Sequence, residues 1–228
     1  MVLGIISIAG GAIGAVCSTI GGAIGGAVGS FASVIGGLFP EIALGKLFID
    51  LIGAIVNGIA EILGIGNKEE KLDELGAKAT QPDTKKSEEF SSTEEYIKYL
   101  REEVKLDQER FDKMSLEEKL ANQLAGTAII TKGIEEKTGT KIPAEFLVNS
   151  AKLKLSYEET KAYIDAFKSN GINDMGIMTN YLSGKGDGLS NDISKKSISE
   201  AMQTINPEMS KESIEEKIFE MKKETCKY

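Results

Sequence analysis

Few side chains in this sequence are of the types that carry out catalysis or bind metals, and they form no recognisable catalytic set. The chain has no histidine and only two cysteines, Cys17 and Cys226. This composition excludes histidine-based general-base catalysis, Ser-His-Asp and Cys-His nucleophilic sites, and structural zinc clusters. The sequence GKGDG at residues 184–188 lacks the GxxxxGK[ST] spacing of a phosphate-binding loop and is typical of a surface turn. We therefore expect no enzyme activity, no cofactor and no metal site.

Four polar side chains at helical spacing form the best candidate for a functional constellation. Lys46, Asp50, Asn57 and Glu61, here called the polar stripe, fall on one face of a helix in EIALGKLFIDLIGAIVNGIAEILGIG. Ionisable groups at membrane depth usually face a bundle interior or a water-filled cavity, so the stripe predicts a pore-facing or interior surface. The alternative is an amphipathic helix that lies at a membrane interface or packs on this protein's own soluble domain.

The helix that carries the polar stripe belongs to an apolar, glycine-rich block at residues 1–66. Only Glu41, Lys46, Asp50 and Glu61 are charged in this block. A bilayer crossing needs about 20 predominantly apolar residues, and the block is much longer. It lacks the basic residues that precede the apolar run of a cleavable signal peptide. We therefore predict a membrane-inserting region, with the buried core of a soluble state as the alternative.

Small residues recur every four positions through the first part of this block. One row contains Gly10, Gly14, Ser18, Gly22, Gly26 and Ser30, and a second contains Gly21, Gly25, Gly29, Ser33 and Gly37. Residues four apart share a helix face, so each row would let another helix backbone approach closely. Bulky residues such as Ile13, Ile20 and Ile24 lie between the rows and argue against a flexible loop. The rows are therefore expected to be helix-packing surfaces.

Pro40 separates the glycine-rich segment from the helix that carries the polar stripe. Proline ends a preceding helix, so the block predicts a helical hairpin with its turn near Pro40. As one helix, residues 3–38 would measure roughly 54 Å, which is too long for an upright span. This arm must tilt, extend beyond the membrane or break near residues 18–22. Either two or three apolar helices are consistent with the sequence.

The rest of the chain is charged and helical in pattern. Residues 67–92 are poor in large apolar residues and predict a linker, with one short helix at residues 69–79. Residues 93–228 contain amphipathic patterns and capping boxes such as Ser156 with Glu159. Strand patterns are nearly absent. The expected fold is all-α, with an N-terminal hydrophobic glycine-zipper hairpin followed by a soluble multi-helix module.

Residues 4–37 resemble the glycine-zipper segments of membrane-active proteins, which include channel-forming bacterial toxins and secreted antibacterial effectors. The resemblance is confined to this segment. In such proteins the zipper mediates helix packing in an oligomeric pore. The resemblance implies a homo-oligomer whose packing faces are formed by Gly10, Gly14, Gly21, Gly22, Gly25, Gly26 and Gly29.

The leading prediction is a membrane-inserting, pore-forming bacterial effector or toxin that acts by oligomerisation of its glycine-zipper helices. It would be membrane-associated, and secreted or delivered from a bacterial cell without a cleavable signal peptide. The soluble module would shield the hairpin or bind a chaperone, an immunity protein or a delivery machine. The alternative is a non-enzymatic membrane anchor or structural component of a virion, an injection apparatus or another assembly.

Charge limits the partners and suggests a trigger. The net charge of −8 and the lack of a basic-aromatic patch argue against nucleic acid as a partner. Glu41, Asp50 and Glu61 are the only acidic residues in the apolar block. Neutralising them would lower the cost of burying the block in lipid. We therefore predict stronger insertion at acidic pH.

Overall fold

The computed structural model describes residues 4–38 and 42–226, which fold into helices joined by loops and turns. These described residues contain no β-strand, and Lys141 and Asp174 form an isolated bridge. The expected all-α fold class is therefore confirmed. The chain divides into two compact units, of which the first ends at Lys137 and the second begins at Thr138.

Within the described residues of the apolar block, the first unit has three helices. The sequence was consistent with either two or three. The helices of this unit are α1 (Gly4–Ile20), α2 (Gly22–Leu38), α3 (Ile42–Ile62), α4 (Leu72–Ala79), α5 (Thr93–Glu102), α6 (Gln108–Asp112) and α7 (Leu116–Thr138), with a 3₁₀ turn at Ser87–Glu89. The expected turn at Pro40, and Glu41 with it, lie outside the described residues. The compositional boundaries at residues 66 and 92 both fall inside this unit.

The break between α1 and α2 occurs at Gly21, within the interval expected from the length of the arm. Gly21 has φ +67° and Gly22 has φ +51°, a left-handed conformation that glycine adopts without strain. The two helices then pack on each other. A Cβ atom on Gly25 would lie 2.7 Å from the carbonyl oxygen of Cys17, so glycine is needed for this close approach.

Helix α3 is amphipathic and ends in a glycine cap. Ile52, Val56 and Ile59 are buried on one face, whereas Leu47, Leu51 and Ile62 are exposed. Gly64 follows with φ +73°, and the amide of Ile65 donates to the carbonyl of Ala60 at 3.0 Å, as at many helix C-termini. Across residues 4–38 and 42–226, no helix combines the length and the apolarity that a membrane span requires.

Helix α4 packs tightly across α7 inside the segment that the sequence suggested was a linker. A Cβ atom on Gly76 would lie 1.9 Å from the carbonyl oxygen of Asn122, and one on Gly126 would lie 2.0 Å from that of Leu72. The two backbones therefore touch without intervening side chains. Leu72 and Leu75 are buried at this crossing. The short helix expected at residues 69–79 is thus present, and it is a packed element.

The second unit is a helical module with an aromatic and aliphatic core. Its helices are α8 (Ala144–Lys152), α9 (Tyr157–Ser169), α10 (Gly176–Leu182), α11 (Gly188–Ile205) and α12 (Lys211–Thr225). Helix α11 contacts α9, α10 and α12, and the buried core includes Phe146, Phe167 and Ile198. The capping box of Ser156 and Glu159 is confirmed at the start of α9, with bonds of 2.8 and 3.1 Å.

Candidate functional site

The first row of small residues lies on the outside of α1 and α2. Gly14, Ser18, Gly26 and Ser30, here called the small-residue row, are exposed. A Cβ atom on Gly14 or Gly26 would meet no other atom within 4 Å. No described helix therefore packs against these two glycines, although their spacing suits close helix contact. Gly10, the first member of the predicted row, lies in α1.

Hydroxyl groups on this row are satisfied within their own helices. The Ser18 hydroxyl donates to the carbonyl of Gly14 at 2.8 Å, and that of Ser30 donates to the carbonyl of Gly26 at 3.1 Å. A serine bonded in this way does not require water or a partner chain to satisfy its donor. The row can therefore meet an apolar neighbour without leaving an unpaired hydroxyl donor.

The other predicted packing glycines have different surroundings. Gly21 and Gly22 form the turn, and a Cβ atom on Gly22 would lie 1.6 Å from Oε1 of Glu88. Gly25 is buried against the backbone of Cys17 within the molecule. Gly29 is half-buried, but the space around its Cβ position is open. The four-residue spacing could not separate these roles. Residues on either side of 18–22 share a face only if one continuous helix runs through that interval.

Bulky residues of the same two helices point inward. Val16, Ile20, Ile24, Val28, Phe31 and Ile35 are all buried. Removing apolar surface from water is worth about 25 cal/mol per Å², so this orientation suits an aqueous environment. Glycine and serine on the outside expose little apolar surface. Two very hydrophobic helices thus present their least hydrophobic sides outward.

The polar stripe of α3 lies against this protein's own chain. Lys46 and Asp50 form an ion pair of 2.6 Å, and Oδ1 of Asp50 accepts a hydrogen bond from Nε2 of Gln123 at 2.8 Å. Glu61 pairs with Lys68 at 3.3 Å. The structure therefore places three of the four predicted residues in ion pairs within the first unit.

Asn57 is the buried member of the stripe. Its side chain is 5% exposed, and its Nδ2 donates to the carbonyls of Glu70 at 2.9 Å and Lys68 at 3.4 Å. Its Oδ1 is buried without a hydrogen-bond partner. Buried amides are costly unless bonded, so the bonds to residues 68 and 70 offset much of the cost of placing Asn57 in an apolar helix.

A groove of about 430 Å³ runs along the stripe. Its walls come from α3, from residues 68–73 and from the first half of α7. Leu72 packs closely on Gly53 in the groove wall, since a Cβ atom on Gly53 would lie 2.9 Å from Cδ1 of Leu72. The lining contains both lysines and carboxylates, so it favours neither anions nor cations.

Arg101 was not suggested by the sequence, yet it fixes the chain that follows α3. Its Nη1 donates to the carbonyl of Ile65 at 3.0 Å, and its Nη2 lies 2.5 Å from Oε2 of Glu70. The Glu70 side chain is 12% exposed and that of Arg101 is 29% exposed, so the pair is shielded from solvent. In the sequence, Arg101 belongs to a run of charged residues that is typical of a solvated helix face.

The second unit contains another groove, of about 410 Å³, between the end of α8, α9 and α12. Tyr163 and Met221 form apolar parts of its wall. Burial raises the pKa of the Tyr163 hydroxyl and lowers the pKa of the Lys152 ammonium. Both shifts arise mainly because burial removes solvent from the charged form of the side chain. Neither shift identifies an acid–base pair.

No set of three or more metal-binding side chains converges within the described part of the chain. The chain matches no known protein family, no curated protein and no solved structure. Its function must therefore be inferred from the apolar helices and from the contacts that hold them.

Proposed function

We propose that this protein is a membrane-inserting, pore-forming bacterial effector or toxin whose N-terminal helices oligomerise through their small residues. The observation that carries the proposal is the exposed small-residue row on two otherwise highly apolar helices. Gly14 and Gly26 occur at the four-residue spacing that favours close helix packing, and each has open space at its Cβ position.

The orientation of α1 and α2 supports a form that is compatible with water before insertion. In water, bulky aliphatic residues gain most from facing inward. In lipid that preference disappears, because lipid tails are as apolar as leucine, and helix association then depends on close packing. Insertion would expose Ile20, Ile24 and Val28 to lipid and bring the small-residue rows of several copies together.

The polar stripe would face the interior of the assembled pore. Lys46 and Asp50 are already paired on one side of α3, and such pairing lowers the cost of carrying both charges into a membrane. In the proposed arrangement α1 with α2 forms one arm of a hairpin and α3 forms the other. The remainder of the chain would shield the hairpin or bind a chaperone, an immunity protein or a delivery machine.

Liposome permeabilisation tests this function. The purified full-length protein is added to vesicles that contain a self-quenched dye, at pH 7.5 and at pH 5, and bound protein is measured by flotation. We expect association and dye release, with both stronger at pH 5. Association without release would instead indicate a membrane anchor or an assembly component. Absence of association at either pH would contradict membrane insertion.

A further inference from the structure

Contacts between α3 and the chain that follows it cover part of the polar stripe, the surface that would face the interior of the proposed pore. Asn57 is bonded through Nδ2 to backbone carbonyls of Lys68 and Glu70, which lie 11 and 13 positions further along the chain. These carbonyls occupy the side of α3 that would face the interior of the proposed pore. They cover Asn57, whereas Lys46, Asp50 and Glu61 remain roughly half exposed.

An ion pair and a hydrogen bond extend this contact toward both ends of α3. Lys68 pairs with Glu61 at 3.3 Å, and Gln123 bonds to Asp50 at 2.8 Å. Both contacts are partly exposed to solvent, and exposed contacts contribute little individually to stability. The bonds of Asn57 are shielded from solvent, so each is expected to contribute more than an exposed contact does.

Arg101 keeps the segment in position from the opposite side. It bonds to the carbonyl of Ile65 and pairs with Glu70, and these two residues flank the turn between α3 and α4. Leu72 then packs into the space that Gly53 leaves open. Residues 65–72 are thus held to α3 on one side and to α5 on the other.

We propose that residues 65–72, fixed by Arg101, form an autoinhibitory clamp on α3 that must open before the protein inserts. The proposal rests on the proposed function and names its regulation. Opening the clamp releases α3 from residues 65–72 and uncovers Asn57, so that the whole polar stripe can face the pore interior. The control point therefore lies outside α1, α2 and α3, at the end of the apolar block and just beyond it.

Substitutions on the clamp side test the proposal without altering any residue of α1, α2 or α3. The variant Lys68→Ala/Arg101→Ala removes the pairs to Glu61 and Glu70 and the bond to Ile65. Since it removes two ion pairs and one charge-assisted hydrogen bond, we expect dye release at pH 7.5 to accelerate by roughly tenfold. Lys98→Ala is the matched control, because Lys98 lies on the same helix as Arg101 and its side chain is 71% exposed. It should behave as the wild type.

A reversible cross-link tests the clamp in the opposite direction. Gly53→Cys/Leu72→Cys, with Cys17→Ala and Cys226→Ala, joins α3 to the clamp where the two already touch. The oxidised protein should bind vesicles without releasing dye, and a thiol reductant should restore release. The comparison is internal, since the same protein is measured in both states.

The outcomes separate the clamp from the function on which it rests. Equal release from oxidised and reduced protein, or no acceleration in Lys68→Ala/Arg101→Ala, would overturn the clamp while leaving pore formation intact. Absence of release from the wild type, the reduced protein and the clamp variant at both pH values would overturn the proposed function itself.

Discussion

The glycines of the first unit have different structural roles. Their backbone conformation and the space at the Cβ position distinguish these roles. Gly21 supplies a left-handed turn between α1 and α2. Gly76 and Gly126 let the backbones of α4 and α7 touch. Gly14 and Gly26 have open space on the outer surface. A substitution by alanine should therefore have opposite consequences at different glycines.

Gly126→Ala should destabilise the first unit by about 3 kcal/mol, because the added methyl group would overlap the carbonyl of Leu72. Chemical denaturation followed by circular dichroism measures this difference. Gly26→Ala is the matched control. It adds a methyl group to open space in a helix, so it should be neutral or stabilising by up to about 1 kcal/mol. Equal effects at the two sites would contradict the described α4–α7 crossing.

Ser197→Ala should stabilise the second unit by about 1 kcal/mol, because its hydroxyl is buried without a hydrogen-bond partner. The midpoint of thermal unfolding reports the change. Ser199 lies on the same helix, and its hydroxyl donates to the carbonyl of Lys195 at 2.7 Å. Ser199→Ala should leave the midpoint unchanged or lower it slightly. A lower midpoint for Ser197→Ala would mean that its hydroxyl has a partner.

Asp187 caps the start of α11, and bonds from the side chain and backbone of Ser190 hold its pKa below the ordinary value of 3.8. The folded state therefore favours the carboxylate. Its contribution to stability is complete above pH 3.8 and is lost as the pH falls through the lowered pKa. Asp187→Asn keeps a capping oxygen and removes this titration. We expect acid unfolding of the variant to show a shallower pH dependence below pH 4, measured by circular dichroism.

At the scale of helices, sequence periodicity predicted most elements but did not predict that α4 is packed. The all-α class, the break near residues 18–22 and the short helix before residue 79 follow from glycine spacing, arm length and local pattern. The packing of α4 does not follow, because Leu72 and Leu75 are only two apolar residues in a charged segment. Their burial depends on Gly126, which is more than 50 positions away in the chain.

The candidate site was predictable on α3 and not on its partners. The spacing of Lys46, Asp50, Asn57 and Glu61 identified one face from local sequence. The partners of that face come from distant parts of the chain, through a backbone carbonyl at Glu70 and a side chain at Gln123. No periodic pattern marks a carbonyl or a single glutamine as the partner of a particular helix face.

Neutral side chains at positions 50 and 61 should favour membrane binding of α3. An ionised aspartate at a helix centre costs about 2.5–3.5 kcal/mol in lipid, and an amide carries no such charge. Asp50→Asn/Glu61→Gln should therefore bind vesicles at pH 7.5 as well as the wild type does at pH 5. Glu109→Gln, which changes an exposed carboxylate on α6, is the control. Equal wild-type binding at the two pH values would contradict this mechanism.

At the scale of the whole molecule, the proposed function requires that the same apolar helices suit both water and lipid. In the described arrangement the bulky residues of α1 and α2 face inward and the small-residue row faces outward. The same residues can reverse their roles in lipid, where small residues favour helix contact. Gly14 and Gly26 have open space at their Cβ positions in the single molecule, and the proposed function requires the row for assembly.

The most direct test is dye release from liposomes by Gly14→Leu/Gly26→Leu, compared with the wild type and with Gly188→Leu. All three substituted glycines have open space at the Cβ position, and Gly188 lies outside the apolar block. We predict that the double variant unfolds at the wild-type temperature and still binds vesicles, but releases no dye, whereas Gly188→Leu behaves as the wild type. Release by the double variant at the wild-type rate would contradict assembly through the small-residue row.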